Sequence, residues 1–318
     1  MILVTGANGF VGRPLCAALA HSGQTVVAAT RHALSDVVPN ISNFQISTLS
    51  ADFNWQHGLQ GCDAIVHLAG RVHVMSDKAT DPLTEFRRVN VDGTLNLARQ
   101  AAAAGVRRFV FISSIKVNGE STRLGRVFAA DDVPDPQDPY SISKHEAEQG
   151  LRKLAVGTGM EVVIIRPPLV YGPGVRANFQ SMMRWLKWGV PLPLGSIQNK
   201  RSLVALDNLV DLIITCLNHP IAANQTFLVA DGEDLSTTEL LRQTSLALGR
   251  PVRLLPIPQS ILQSGLKLMG KDDLAQRLCG SLQVDISKAK KLLGWAPPVS
   301  MNDSLAKTAR HFLASRSQ

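Results

Sequence analysis

Ile2-Leu3-Val4-Thr5-Gly6-Ala7-Asn8-Gly9-Phe10-Val11-Gly12 opens the chain, and the reading of its three glycines decides the fold. Ile2 to Thr5 is a short apolar run of strand character, and Arg13 to Ala20 behind the third glycine reads as helix. Gly6, Gly9 and Gly12 therefore sit in a turn between strand and helix. Gly6 permits the tight turn, Gly9 lets backbone approach a pyrophosphate, and Gly12 lets the helix pack on the strand with its N-terminus facing the anion. The spacing alone is a weak signal; its place between strand and helix makes it a dinucleotide site. Asn8, Phe10 and Val11 complete that loop.

Further along, Thr25 to Thr30 reads as a second strand and ends in Thr30-Arg31. A site that prefers NAD usually carries an acid there for the ribose hydroxyls. Arg31, with Arg13 just behind the third glycine, would clamp a ribose 2′-phosphate, so NADP(H) is expected ahead of NAD(H). A third strand is expected near Phe44 to Leu49, followed by Asp52-Phe53, where the acid would accept from an adenine amino group. The fourth strand runs through Ile65-Val66-His67-Leu68 into Ala69-Gly70, small residues that let the chain pass closely under a cofactor. His67 inside that run reads as structural. A long helix is expected from Asp81 to Ala104 with Asn90 at its middle. A fifth strand, Phe109 to Ile112, leads to Ser113-Ser114, at the carboxyl end where a parallel strand presents side chains to the ligand crevice.

Tyr140-Ser141-Ile142-Ser143-Lys144 is where the chemistry is expected. A Tyr and a Lys four residues apart share one face of a helix. A free phenol titrates near ~10 and is a poor base at neutral pH, whereas an adjacent cation lowers that value. Such a pair is suited to proton transfer at an alcohol or sugar hydroxyl.

Composition narrows the classes. The chain of 318 residues is 45% hydrophobic and 18% charged, ordinary for a globular protein with a full core. Its formal charge of +8 suits a phosphate-bearing ligand, yet the basic residues are dispersed, which argues against a nucleic-acid partner. Cys16, Cys62, Cys216 and Cys279 are scattered singly, so neither a zinc site nor a disulfide framework is expected, and a reducing cytoplasm is the expected setting. The first residues leave no room for a signal segment, so export is not expected. No apolar run reaches the ~18–20 residues of a membrane span, and no stable membrane insertion is expected. The stretches Met182 to Trp188 and Ile261 to Met269 have helical spacing; core packing, for the first beside a nucleotide, is preferred to a membrane surface.

Taken in order, Thr5-Gly6-x-x-Gly9-Phe10-x-Gly12, His67-Leu68-Ala69-Gly70, Ser113-Ser114 before Val117-x-Gly119, Tyr140-x-x-x-Lys144 and Arg166-Pro167-Pro168-x-x-Tyr171-Gly172-Pro173-Gly174 resemble the extended short-chain dehydrogenase/reductase family. Nucleotide-sugar epimerases, dehydratases and reductases are the branch most resembled, over essentially the whole chain, including Lys200 to Val204 with Asp207-Asn208 and Asp285 to Ala289 before Leu293-Gly294-Trp295. The resemblance implies an α/β fold: a Rossmann-type doubly wound parallel sheet over 1–170, with a smaller C-terminal substrate-binding lobe over 171–318 and some segments returning to the sheet. It makes Tyr140 the acid/base, Lys144 its partner and ribose ligand, and Ser114 the hydroxyl on the reacting oxygen. It puts Asn90 behind the site, Leu68 to Gly70 and Pro167 against the cofactor, and Asn178 and Arg201, with Arg277 as a further candidate, at a UDP-sugar diphosphate. Val117-Asn118-Gly119 and Lys116 depart from the Val-Tyr-Gly of many relatives, so Lys116 and Asn118 are candidate sugar contacts. Ile115 and Lys116 stand where dehydratases carry an Asp-Glu pair, which argues against dehydration.

The expected activity is NADPH-dependent reduction at C4 of a UDP-4-keto-6-deoxy-N-acetylhexosamine in surface polysaccharide synthesis. The alternative is an NAD-dependent UDP-hexose or UDP-N-acetylhexosamine 4-epimerase; a non-catalytic NADP(H) sensor of the same fold is opposed by the intact Ser114, Tyr140 and Lys144. The family habit of pairing through the helices at Asp81 to Ala104 and Pro139 to Ala155 implies a homodimer built on a four-helix bundle.

Overall fold

The computed structural model describes residues 1–32, 38–72, 81–123 and 125–315. Strands in chain order are β1 (Ile2–Thr5), β2 (Val26–Thr30), β3 (Ile41–Gln45), β4 (Ala64–His67), β5 (Arg108–Ile112), β6 (Glu161–Arg166), β7 (Leu169–Tyr171), β8 (Arg201–Ala205), β9 (Thr226–Leu228) and β10 (Asp234–Leu235). Helices are α1 (Gly12–His21), α2 (Gln56–Leu59), α3 (Pro82–Arg87), α4 (Thr94–Ala103), α5 (Pro139–Thr158), α6 (Ala177–Trp188), α7 (Leu206–Asn218), α8 (Thr237–Ala247), α9 (Gln259–Leu268), α10 (Asp272–Cys279), α11 (Ser287–Leu293) and α12 (Met301–Ala314).

Seven strands form one parallel sheet in the order β3-β2-β1-β4-β5-β6-β9. The order reverses between β1 and β4, which opens a ligand crevice at their carboxyl ends in this Rossmann-type fold. Every residue of β1, β2, β4 and β5 is buried, since helices cover both faces and leave no alternation of polar positions. Leu15, Cys16 and Leu19 of α1 and Leu209, Leu212 and Ile213 of α7 cover one face. Leu97, Ala98 and Ala101 of α4 and Ala147 and Leu151 of α5 cover the other. At Gly12 a Cβ would lie 2.1 Å from the Gly6 carbonyl oxygen, so only glycine lets α1 start this close to β1.

Two expectations are corrected. The third strand is Ile41–Gln45, not Phe44 to Leu49, because backbone pairing to β2 runs from Val26–Ile41 to Thr30–Gln45; Ile46 and Leu49 are buried beyond its end and carried the apolar signal onward. The long helix is broken into α3 and α4 by a π-helical turn, Arg88–Gly93. Asp81 caps its start by accepting from the Thr84 amide. The wide turn places Asn90 and Gly93 inward; a Cβ on Gly93 would meet the Leu49 backbone at 2.9 Å, so the helix leans directly on that loop.

After β6 the chain builds a second, three-stranded sheet, β10-β8-β7, under α6, α8 and α12. Tyr171 donates its hydroxyl to Asp231, and Asn208 donates to the same carboxylate. The Asn208 side-chain oxygen, Oδ1, accepts from the Val299 amide. These residues of the family-like motifs thus staple the second sheet to α7. The chain also returns to the large sheet, where β9 pairs with β6.

Candidate active site

Helix α5 is fixed at its N-terminus by Pro139 in the first turn and a capping box in which Asp138 accepts from the Ser141 amide while Ser141 Oγ accepts from the Asp138 amide. That start holds Tyr140 and Lys144 over the carboxyl end of β5. Ser114 sits beside the Tyr140 phenol and acts to lower its pKa, and the Tyr140 ring meets Phe86 edge-on at 5.9 Å. Lys144 is buried; its ammonium donates to the Ile112 carbonyl at 2.9 Å and lies 4.5 Å over the Phe111 ring.

The electrostatics differ from the sequence expectation. Burial pushes the phenol of Tyr140 up to about 12, the Asp138 carboxylate adds to this, and Ser114 opposes it. Burial also pushes Lys144 down to about 8, with Glu148 opposing. Desolvation of each group therefore outweighs any lowering of the phenol by the lysine. A group whose folded pKa exceeds its unfolded value of ~10 adds stability below that value and loses it as pH rises through about 12. The chain's two tyrosines, Tyr140 and Tyr171, are both raised by burial. An alkaline titration of the nucleotide-stripped native protein is expected to show no tyrosinate absorbance at pH ~10, where the urea-unfolded chain is half ionised; native ionisation at that pH would contradict the burial argument.

Asn90, buried inside the π-helical turn, accepts from the Arg71 amide at 2.7 Å and donates to the Arg71 carbonyl and Ser143 Oγ, each at 3.0 Å. It ties the segment after β4 to α5. A Cβ on Gly70 would sit 3.0 Å from Asn90 Oδ1 and 3.6 Å from the Lys144 ammonium, so Gly70, Asn90 and Lys144 converge. His67 is buried between the Thr5 and Thr94 hydroxyls at 2.7 and 2.9 Å and stacks on Phe111. Burial pushes it down to about 3, so the ring is neutral.

The glycine loop offers a fitting cradle. Gly6 has φ +67° and a Cβ there would meet the Ala69 amide at 3.0 Å. Val11 precedes α1 without capping it by a side chain; Arg13 donates its amide to the Gly9 carbonyl and Pro14 has no amide hydrogen, so among the first three residues of α1 the Gly12 amide is the one left to meet an anion. Asn8 and Gly9 are exposed beside half-buried Phe10 and Val11. The residues present therefore suit a dinucleotide. Arg13 turns back to donate to the Asn8 carbonyl at 3.2 Å, and Arg31 is exposed just beyond β2. Asp52 is exposed and hydrogen-bonded by Ser50, which holds its carboxyl low. Phe53 packs its ring against Trp55 at 4.9 Å, leaving its carbonyl to Asn96 and Gln100. Pro167 is buried and accepts from the Ile115 amide.

On the substrate side the structure separates the candidates. Lys116 is held by Asp138 at 2.7 Å and Glu120 at 2.9 Å, at the cap of α5. Asn118, expected at a sugar, is buried with both ends of its amide committed: it donates to the Ala129 carbonyl and accepts from Arg166. Arg201 donates to the Arg277 and Gly280 carbonyls, so β8 is clasped to the end of α10, and burial lowers its pKa. Arg277 is exposed on α10, and Asn178 is exposed in the first turn of α6.

One assembly escaped the sequence reading. Glu148 and Arg166 form a buried, bidentate ion pair beneath the site; Ser113 donates to the same carboxylate. The available signal was the spacing Tyr140, Lys144, Glu148, which puts all three on one helix face.

Comparison with known proteins follows the same outline. Residues 2–230 match the model of the NAD dependent epimerase/dehydratase family. A UDP-glucose 4-epimerase of Vibrio cholerae is 49% identical, with 100% of this chain and 97% of that protein aligned. A GDP-6-deoxy-D-mannose reductase of Pseudomonas aeruginosa is 27% identical over 96% and 94% of the two chains. The crystal structure of a UDP-glucuronic acid 4-epimerase from Bacillus cereus in complex with NAD superposes with a TM-score of 0.78 at 20% identity, covering 99% of each chain.

Proposed function

Because the chain belongs to the NAD dependent epimerase/dehydratase family, we propose that it interconverts the C4 epimers of a UDP-hexose, UDP-glucose first, with an NAD kept through the cycle. The 49% relative named as a UDP-glucose 4-epimerase favours this over the NADPH-dependent reduction expected from sequence. The observation that carries it is the Tyr140 phenol beside Ser114, one helical turn before the buried Lys144 on α5.

Gly6, Gly9 and Gly12, with Asn8, Phe10 and Val11, would hold the pyrophosphate on α1, and Asp52 with the Phe53 backbone the adenine. Leu68, Ala69, Gly70, Asn90 and Pro167 would line the cofactor, and Tyr140 and Lys144 would hold its ribose. Bound NAD supplies a hydride acceptor and donor at C4. Tyr140 moves the proton at the C4 oxygen, and Ser114 orients that oxygen by a hydrogen bond. A cation close to the phenol favours the phenolate, which assigns Lys144 the task of offsetting the burial that holds Tyr140 near 12. Asn178, Arg201 and Arg277 would meet the diphosphate, Arg201 as a partly desolvated cation at the edge of β8. A cytoplasmic homodimer belongs to the same reading, pairing through α4 and α5, which pack on each other within the chain with Gly150 closely against Leu95.

A second reading, net reduction by NADPH of a UDP-4-keto-6-deoxy-N-acetylhexosamine, is favoured by Arg31 at the end of β2, where an acid would select NAD. The test is to unfold the purified protein and identify the released nucleotide, then offer UDP-glucose without added cofactor and the keto sugar with NADPH. Released NAD and UDP-galactose support the epimerase. No bound nucleotide, with stoichiometric NADPH loss on the keto sugar, replaces it with the reductase.

A further inference from the structure

Helices α6 and α9 each carry more apolar surface than the fold uses. Phe179, Met183 and Leu186 of α6 are buried in the C-terminal core, yet Trp185 and Trp188 face outward, the latter 63% exposed, with their rings edge-to-face at 5.7 Å. On α9, Leu266 is buried and Leu262 packs on the same core, yet Ile261 is exposed and Leu268 is 91% exposed, with Met269 beside it. A surface helix needs one apolar stripe, and a second one implies another apolar medium.

The segment that follows α6 is joined to the segment that leads into α9. Beyond α6, Leu192 donates to the Arg253 carbonyl and accepts from the Leu255 amide, and Ser196 bridges to Pro258 at the start of α9. Exposed Val190 and Leu255 lie along this join. Ile261, Gly265 and Leu268 lie on one exposed side of α9. Across 182–192 and 250–271 the charged residues are Arg184, Lys187, Arg250, Arg253, Lys267 and Lys271, with no acid before Asp272 and Asp273 open α10.

We propose that this face docks on an anionic phospholipid surface, with Trp185, Trp188, Ile261 and Leu268 entering the headgroup–acyl boundary and the surrounding cations meeting lipid phosphates. Exposed tryptophans and apolar residues, with Lys and Arg interspersed along the same stretches, are the chemistry of interfacial binding. The long basic side chains keep their heads in the headgroup layer while their stems lie along apolar surface. A second copy is a poorer occupant, because a two-fold contact would set this positive patch against itself. Such docking involves no spanning segment; among the described residues, no helix is long and apolar enough to cross a membrane.

The test is co-sedimentation of the full chain with phosphatidylcholine vesicles with and without phosphatidylglycerol. The protein is expected to pellet with the anionic vesicles, and acyl-brominated lipid is expected to quench its tryptophan emission; the other two tryptophans, Trp55 and Trp295, are buried. Trp185→Ser/Trp188→Ser and Ile261→Ser/Leu268→Ser keep every charge and are expected to bind at least ~10-fold more weakly, with urea unfolding close to wild type. The quenching needs no variant, so it stands if one misfolds. Wild-type protein left in the supernatant overturns the proposal. So do pelleting without quenching, folded variants that bind like wild type, and an oligomer that the variants dissociate while vesicles stay bare.

Discussion

Tyr140→Phe is expected to lower kcat by about 10²–10⁴-fold, with nucleotide still retained through Lys144 and the glycine loop. The ring keeps its half-buried place against Phe86, so what disappears is the hydroxyl that exchanges the proton. Ser114→Ala removes a partner to the same oxygen and is expected to cost about 10–100-fold, less because the phenol remains to transfer the proton. Single-turnover measurement on the preloaded protein separates this from weakened binding. A Tyr140→Phe variant within tenfold of wild type would remove Tyr140 from the chemistry. Loss of turnover with retained nucleotide would also exclude the sensor reading.

The second large effect is on stability. Arg166→Met is expected to lower the unfolding free energy by about 3–5 kcal/mol, because it strips the cation from a Glu148 carboxylate that is almost fully buried. Ser113 would then be the carboxylate's remaining donor among the bonds described. Arg166 also donates to Asn118, whose own amide holds the Ala129 carbonyl, so the loop after β5 should loosen as well. Glu148→Leu/Arg166→Met removes both charges and is expected to recover much of the loss, as replacing a whole buried pair often does. Urea denaturation with a common slope measures both. A single variant within ~1 kcal/mol of wild type would mean that the pair is not tightly coupled.

Much of this protein was legible before its structure, for identifiable reasons. Buried parallel strands must be unbroken apolar runs, and the turn after β1 must be glycine-rich because Gly12 has no space for a Cβ. The Tyr140 and Lys144 pair was visible because a helical spacing maps directly to a shared face. Less legible was whatever depends on where side chains end. The polar ends of Asn118 are spent inside the protein, and Lys116 is tied to the helix cap, although both stood where a sugar contact was expected. The π-helical turn at Asn90 has no spacing signature, and neither does the close approach of Gly93 to the Leu49 loop that goes with it. The raised phenol depends on burial, which spacing does not report. The choice between NADP and NAD rested on Arg13 and Arg31: both are exposed, and Arg13 is turned back onto the Asn8 carbonyl, an end point that spacing does not encode.

The central claim is that the chain oxidises and re-reduces C4 of one UDP-hexose without exporting the hydride. The measurement closest to it is proton NMR of UDP-glucose incubated with the purified protein in deuterium oxide with no added nucleotide. The account predicts UDP-galactose that retains protium at C4, because the same hydrogen leaves and returns. Deuterium at C4, or no epimer until NADPH and a keto sugar are supplied, would contradict it.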